Sequence, residues 1–265
     1  MAENILTVEN LNIAYQGVPA VMDVNFTLER GKVLTIVGES GSGKTTVIRA
    51  LMGLLPVGGE VTDGTMIFNG HDLRTLFKSE WRAIRGKDMA MIFQDSGSAL
   101  DPIVRIGKQF RELFKSHIEI TNDECDRRAI ELLESVSLPN GADILRRYPH
   151  ELSGGQRQRV GIAMALALDP ALLIGDEPTS ALDVTTQSQV VMQMLELAKE
   201  HNSAIVMVTH NLGVAAYMSD YIIVMKKGRV VDAGTPQDIL ENPSNEYTKQ
   251  LKDAVPTLGG GRYID

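Results

Sequence analysis

The chain has 265 residues, 43% of them hydrophobic, with a formal net charge of −8 and a single cysteine. That length and apolar content are enough to bury a sizeable core, as one large domain or as a core with a subdomain. The acidic balance argues against nucleic acid as a partner, since binding phosphate backbones draws on a basic surplus. Lone Cys125 cannot form an internal disulfide, which suits a reducing cytosol, and its polar neighbourhood places it simply on a helix.

The first section, to about Phe93, predicts strands with one helix. ILTVENLNIAY and VNFTLERGKVLTIVG alternate apolar and polar residues, with Gly31 at a turn. A helix is expected to start inside the glycine-rich loop GESGSGKTT and run through TTVIRALMGLL, where Pro56 and Gly58 end it. GTMIFNG and DMAMIFQD follow as short strands. The character then changes between about Asp95 and Pro170. IGKQFRELFKSH is amphipathic at helical spacing, and Thr121 with Glu124 three residues on has the pattern of a capping box. Leu132, Leu133 and Val136 fall on one face of that helix. Beyond it, ALLIGDEP is a strand, TTQSQVVMQMLELAKEH a helix, SAIVMVTH a strand, NLGVAAYMS a short helix and YIIVMKKGRVVDAG a hairpin turning at Gly228. Strands that are apolar throughout and alternate with helices predict a mainly parallel sheet covered on both faces. The N-terminus lacks the basic-then-apolar order of a signal peptide. The longest apolar run, residues 160–168, is too short to span a bilayer, so a membrane role would come through a partner.

Three segments carry chemistry. Residues 38–45 match G-x-x-x-x-G-K-[ST], after an apolar strand and before a helix. Bare backbone N–H groups wrap a triphosphate most closely, and in this run, which opens at Gly38, Gly41 and Gly43 let the chain curl there without Cβ clashes. Lys44 supplies a point charge for the β- and γ-phosphates, and the Thr45 hydroxyl suits Mg²⁺. In LLIGDEP, Asp176 reaches the carboxyl end of a strand, where open α/β sheets bind ligands. Asp176 can hold Mg²⁺ through water, and Glu177 beside it can polarise an attacking water. In ELSGGQRQR, Ser153, Gly154 and Gly155 open a helix, either as a second anion site or as an ordinary N-cap. Paired glycines there disfavour helix, which a cap alone does not call for.

The chain resembles the nucleotide-binding subunit of ATP-binding cassette (ABC) transporters over nearly its whole length. LSGGQ, ending at Gln156, looks like that family's signature and lies between the two phosphate motifs as in the family. Gln94 in MIFQD resembles the Q-loop glutamine, which senses Mg²⁺ and the attacking water. Asp183 in SALD resembles the D-loop aspartate, and His210 in VMVTHN the switch histidine that contacts the γ-phosphate. Tyr15 looks like the aromatic residue that stacks on adenine. The resemblance also implies loop contacts to MgATP from Ser40, Ser42 and Thr46.

The implied fold is an α/β P-loop NTPase core with a mainly parallel sheet, an N-terminal antiparallel β region and an inserted helical subdomain. Its implied division is 1–94 with 171–242 as the ATPase core, 95–170 as the helical insertion and 243–265 as an extension. In this family the signature of one subunit completes the phosphate site of another. The implied partners are therefore a second ATPase subunit, identical or paralogous, and two integral-membrane permease subunits, with an extracytoplasmic binding protein acting indirectly. The implied place is the cytoplasmic face of the inner membrane, peripherally bound.

DSGSALDPIVRIG and ENPSNEYTKQL resemble the dipeptide, oligopeptide and nickel importer ATPases. Ser96 and Asp101 depart from that branch's pattern, as do Asn245 and Glu246 before Tyr247 and Thr248. Substrate therefore stands as a di- or oligopeptide or a nickel or metal chelate. The alternative is a non-transport ABC ATPase of the iron–sulfur assembly type.

Overall fold

The computed structural model describes residues 3–94, 99–178, 191–192, 194–196 and 198–254. They fall in two compact units, residues 1–81 with 204–265, and residues 82–203.

The first unit holds an antiparallel sheet ordered β2-β1-β4-β5. β1 (Asn4–Tyr15) and β2 (Val18–Glu29) form a hairpin whose last pair is Tyr15 with Val18. Gln16 and Gly17 turn it with φ of 50° and 80°, the left-handed geometry that matches strand twist in a two-residue loop. β4 (Gly59–Phe68) pairs with the other edge of β1, and β5 (His71–Asp72) pairs with β4. A second sheet is built on β3 (Val33–Val37), which lies parallel to both β8 (Ala204–Thr209) and β9 (Tyr221–Lys226). β10 (Arg229–Gly234) returns antiparallel to β9 around Lys227 and Gly228, at φ 49° and 78°. Met22 N–H donates to Gly228 O at 2.8 Å and so ties the two sheets. Leu34, Ile36, Val206, Val208 and Val224 are fully buried, as strands covered on both faces must be.

Helix α1 (Lys44–Leu51) leaves the end of β3 and is shorter than its sequence pattern predicts. Gly53 at φ 60° stops it. Gly53 N–H donates to Ala50 O and Leu54 N–H to Arg49 O, the paired bonds of a glycine-terminated helix. The stop therefore comes ahead of Pro56.

α2 (Lys78–Ile84) follows one short 3-10 turn, Leu73–Thr75, after β5. The second unit then contains β6 (Met89–Ile92) and β7 (Leu172–Asp176), paired in parallel with Ile92 opposite Gly175. Four helices accompany them: α3 (Ile106–His117), α4 (Asn122–Ser135), α5 (Gly141–Arg146) and α6 (Gly154–Leu166). Phe110 and Phe114 of α3 and Cys125, Ala129 and Leu133 of α4 are all fully buried. Burial also raises the Cys125 thiol pKa, so the cysteine is a small core residue. Arg111 grips Asp126 with two hydrogen bonds across α3 and α4. Thr121 caps α4 by accepting from Glu124 N–H at 3.3 Å. The reciprocal half of the expected capping box is missing, because the Glu124 carboxylate turns to Arg127 and Arg128 instead.

The apolar run 160–168 is core: Val160, Ile162, Ala163 and Leu166 are buried. No helix among the described residues is long and apolar enough to cross a membrane. Much of the helix predicted over 185–201 lies outside the described residues, as does the tail from residue 255.

After β8 the first unit continues with α7 (Leu212–Met218), and after β10 with α8 (Pro236–Glu241) and α9 (Glu246–Asp253). Thr235 and Asp238 cap α8 reciprocally. Ile239 and Tyr247 join Val37, Leu212, Ala215, Ile222 and Val224 in one buried cluster, so the C-terminal helices pack under the end of β3.

Candidate functional site

β3 delivers the chain to the glycine-rich loop. Gly38 is buried, and a Cβ there would lie 2.2 Å from Met225 O and 2.7 Å from Ser42 Oγ. No side chain fits between β9 and the loop at that point. Gly43, the N-cap of α1, has φ 102°, and a Cβ on it would come within 3.1 Å of Ala20 O. Gly41 has φ 80° with open space around it. Left-handed backbone at two positions curls the loop, and glycine is the residue that adopts it without strain.

No side chain caps the N-terminus of α1, and no acidic residue sits in its first turn. That end is electropositive from its own backbone. Lys44 is 5% exposed, and its Nζ donates to Gly38 O at 2.7 Å and to Glu39 O at 2.9 Å. Its ammonium is thus folded into the loop that it follows. The Ser42 hydroxyl is buried with no hydrogen-bond partner among the described residues. A curled loop, an uncapped helix end, a buried ammonium and an orphaned hydroxyl together fit a polyphosphate. Ser40 and Gly41 lie exposed at the mouth of the loop, while Thr45 and Thr46 are half-buried on α1. Tyr15 closes β1 with its hydroxyl 3.5 Å from Thr46 Oγ1, so the aromatic ring predicted for the base stands next to the loop.

His210 belongs to the same edge. Val37 and Thr209 are register partners in β3 and β8, so Gly38 and His210 follow adjacent strand ends. Asn211 accepts from Gly213 and Val214 N–H and opens α7, and Asn211 N–H itself donates to Thr209 Oγ1. This fixed turn leaves His210 exposed to solvent.

In the second unit β6 and β7 bring three more predicted residues to one edge. Gln94 lies two residues past Ile92 and is exposed. Asp176 ends β7 at 5% exposure. Glu177 is half-buried with φ 46°. Left-handed backbone in a non-glycine residue is uncommon and clusters at functional sites. Among the described residues no group of three or more His, Cys, Asp and Glu side chains gathers to hold a metal. A Mg²⁺ shared with phosphates needs fewer protein ligands, all oxygen. In the second unit Asp176 carries a carboxylate and Gln94 an amide carbonyl, and in the first unit Thr45 carries a hydroxyl.

The signature segment has another character. Ser153 Oγ accepts from Gln156 N–H at 3.2 Å, and Gln156 Oε1 accepts from Ser153 N–H at 3.0 Å. The ordinary capping reading is therefore realised in full, on an exposed helix end. Gly154 is not explained by it. A Cβ on Gly154 would meet nothing closer than Arg157 Nη2 at 4.0 Å. Arg157 and Arg159 turn back onto the chain, donating to Leu152 O and Ser137 O. The described part of the site omits Asp183, and with it the segment 180–183 and Ser96, which lie outside the described residues.

Sequence reasoning missed one member of the loop's surroundings. Tyr247 of α9 accepts from Glu39 N–H at 2.8 Å. The segment NEYTKQL marked a family likeness but gave no hint of that contact.

The ABC transporter family matches residues 21–180 of the chain. The dipeptide transport ATP-binding protein DppD of Lactococcus lactis subsp. cremoris is 45% identical, across 97% of this chain and 75% of its own. The oligopeptide transport ATP-binding protein OppD of Bacillus subtilis is 44% identical, across 96% and 72%. The glutathione import ATP-binding protein GsiA of Escherichia coli is 43% identical along 100% of this chain, which spans 44% of that protein. None of these relatives is an iron–sulfur assembly ATPase. A dimeric ATP-binding cassette solved in a post-hydrolysis state with ADP and Pi superposes with a TM-score of 0.77 at 29% identity, over 87% of this chain and 98% of that one. CbiO1 from Clostridium perfringens, part of an ABC transporter complex, gives 0.77 at 28%, over 91% and 92%. The two-sheet α/β architecture with its helical insertion is thus the ABC ATPase fold. The chain belongs to the ABC transporter family and is one of its ATP-hydrolysing subunits.

Proposed function

We propose that the chain energises the import of short peptides, as the MgATP-hydrolysing subunit of a membrane complex. The observation that carries this is the likeness to the dipeptide importer ATPase along 97% of the chain. The relatives named for dipeptides, oligopeptides and glutathione share one chemistry, a short peptide. That favours a peptide over the nickel or metal chelate that the sequence left open.

In this reading Lys44 and the N–H groups of the loop hold the β- and γ-phosphates, helped by Ser40, Ser42 and Thr46. Tyr15 stacks on adenine. Thr45, Asp176 and Gln94 hold Mg²⁺, which neutralises phosphate charge when bound. Glu177 polarises the attacking water, and His210 contacts the γ-phosphate. Ser153, Gly154, Gly155 and Gln156 serve the nucleotide of a second ATPase subunit, with Asp183 at the same junction. The catalysis is positioning and electrostatics, with no covalent intermediate on the protein. The working division is 1–94 with 171–242 as the ATPase core, 95–170 as the helical insertion that answers to it, and 243–265 as an extension. Two permease subunits receive the motion, and the chain sits peripherally on the cytoplasmic face of the membrane.

The test is uptake in vesicles carrying the chain and its co-purifying permeases. ATP-dependent entry of a labelled dipeptide, absent with Lys44→Ala, is the expected result. Entry of a nickel chelate and not of peptides would overturn the substrate class. Co-purification with soluble scaffold proteins in place of membrane proteins would overturn the transport reading.

A further inference from the structure

The Gly38–Glu39 peptide is held at both ends. Its carbonyl, on Gly38, accepts from Lys44 Nζ at 2.7 Å. Its N–H, on Glu39, donates to Tyr247 Oη at 2.8 Å. The C=O and N–H of a trans peptide point in opposite directions, so these two bonds fix the plane between them. The order is Tyr247 hydroxyl, Glu39 amide, Gly38 carbonyl, Lys44 ammonium, each hydrogen bond polarising the next.

We infer that Tyr247 is a positioning residue for the ATP site, which brings the C-terminal helix into nucleotide binding by fixing the carbonyl that orients Lys44. The inference rests on the assignment of Lys44 to the phosphates.

The tyrosine is itself firmly placed. It is 7% exposed within the cluster that contains Val37, the last residue before the loop. Lys226 Nζ lies 4.3 Å from its ring centroid. The turn before α9 is anchored by Asp232, which accepts from Ser244 N–H at 3.0 Å, Ser244 Oγ at 2.8 Å and Asn245 N–H at 3.2 Å. Asn245 then accepts from Tyr247 N–H at 2.9 Å. Burial pushes the Tyr247 phenol above its usual pKa, so the hydroxyl keeps its proton at neutral pH. The ring packs in the cluster, and the hydroxyl reaches Glu39.

Tyr247→Phe separates these roles, because it deletes the oxygen and keeps the ring. Trinitrophenyl-ATP fluorescence with ATP competition gives the affinity, and phosphate release gives kcat and KM. Removing one such hydrogen bond is expected to weaken ATP binding and raise KM by about three- to ten-fold. Lys44 meets the phosphates in the ground and transition states alike, so kcat should stay within about two-fold. In a Lys44→Ala background the same substitution should change affinity by less than about two-fold, because the ammonium it positions is gone. A purely structural tyrosine would lower affinity equally in both backgrounds, or would lower the melting temperature alone. Either result overturns the inference, and so does an unchanged ATP affinity in Tyr247→Phe. Failure of the wild-type chain to bind ATP would instead overturn the phosphate assignment, and the inference with it.

Discussion

The phosphate loop and the signature segment are both glycine-rich turns that open a helix, yet their glycines answer to different neighbours. Gly38 is demanded from within, since a Cβ would strike the Met225 carbonyl. Gly43 is demanded by its own left-handed backbone. Gly154 meets no such demand, and Ser153 and Gln156 already close the helix end by themselves. A loop shaped by its own chain is a finished pocket. The exposed segment has no such internal demand on Gly154, which fits the proposal that it serves a second subunit's nucleotide.

The largest effect should come from filling the space at Gly38. In Gly38→Ala the methyl group meets backbone, which cannot swing aside. We expect ATP binding to be lost and the melting temperature to fall by roughly 5–10 °C. Calorimetry with and without ATP measures both, and a stable, ATP-binding variant would break the contrast at its stronger end.

Glu177→Gln should leave ATP binding in place and slow phosphate release by about 10²-fold or more, through loss of a positioned base. Turnover near that of wild type would remove Glu177 from its role and leave its left-handed backbone unexplained.

Ser153→Ala tests how much of the signature serves the chain alone. It removes one half of the capping box and should cost about 1 kcal/mol, read as a lower urea midpoint at unchanged slope. A much larger loss would mean that the segment is structural.

The smallest effect lies on α4, well away in sequence from either turn. Arg127 and Arg128 hold the Glu124 carboxyl at about 2, below its ordinary value of 4.5. A carboxylate with a depressed pKa stabilises the fold above 4.5, and that contribution is lost as pH falls from there through about 2. Both arginines are exposed and the carboxylate is only half-buried, so the effect is small. Glu124→Gln should flatten the acid limb of stability over that window only, and an unchanged acid profile would contradict the assignment.

Much of this was legible from local pattern. The apolar strand, the glycine loop and the following helix announce each other within a few residues, so Gly38, Gly43 and Lys44 could be placed from sequence. Thr121 was readable as a cap, but the partner of Glu124 was not, because two arginines compete with the backbone for its carboxylate. The end of α1 differs from its sequence pattern, since the paired bonds at Gly53 stop the helix before Pro56 can. Cys125 sits in a polar run that hides its burial, and only its spacing with Ala129 and Leu133 gives away the inner face of α4. Two features had no local signal at all. The left-handed backbone of Glu177 is not encoded by its side chain. The bond between Tyr247 and Glu39 joins residues 208 positions apart.

The claim that the signature serves a second subunit's nucleotide is tested most directly at Gly154. Gly154→Asp puts a carboxylate in the first turn of α6, where the helix dipole favours it, so the monomer should stay as stable as before. The same carboxylate would face the phosphates of a partner's ATP. Sedimentation with MgATP should compare Glu177→Gln alone with Glu177→Gln/Gly154→Asp. The account predicts that both bind ATP, that the first sediments as a dimer and that the second remains a monomer. A double variant that dimerises as readily as the single one would contradict it.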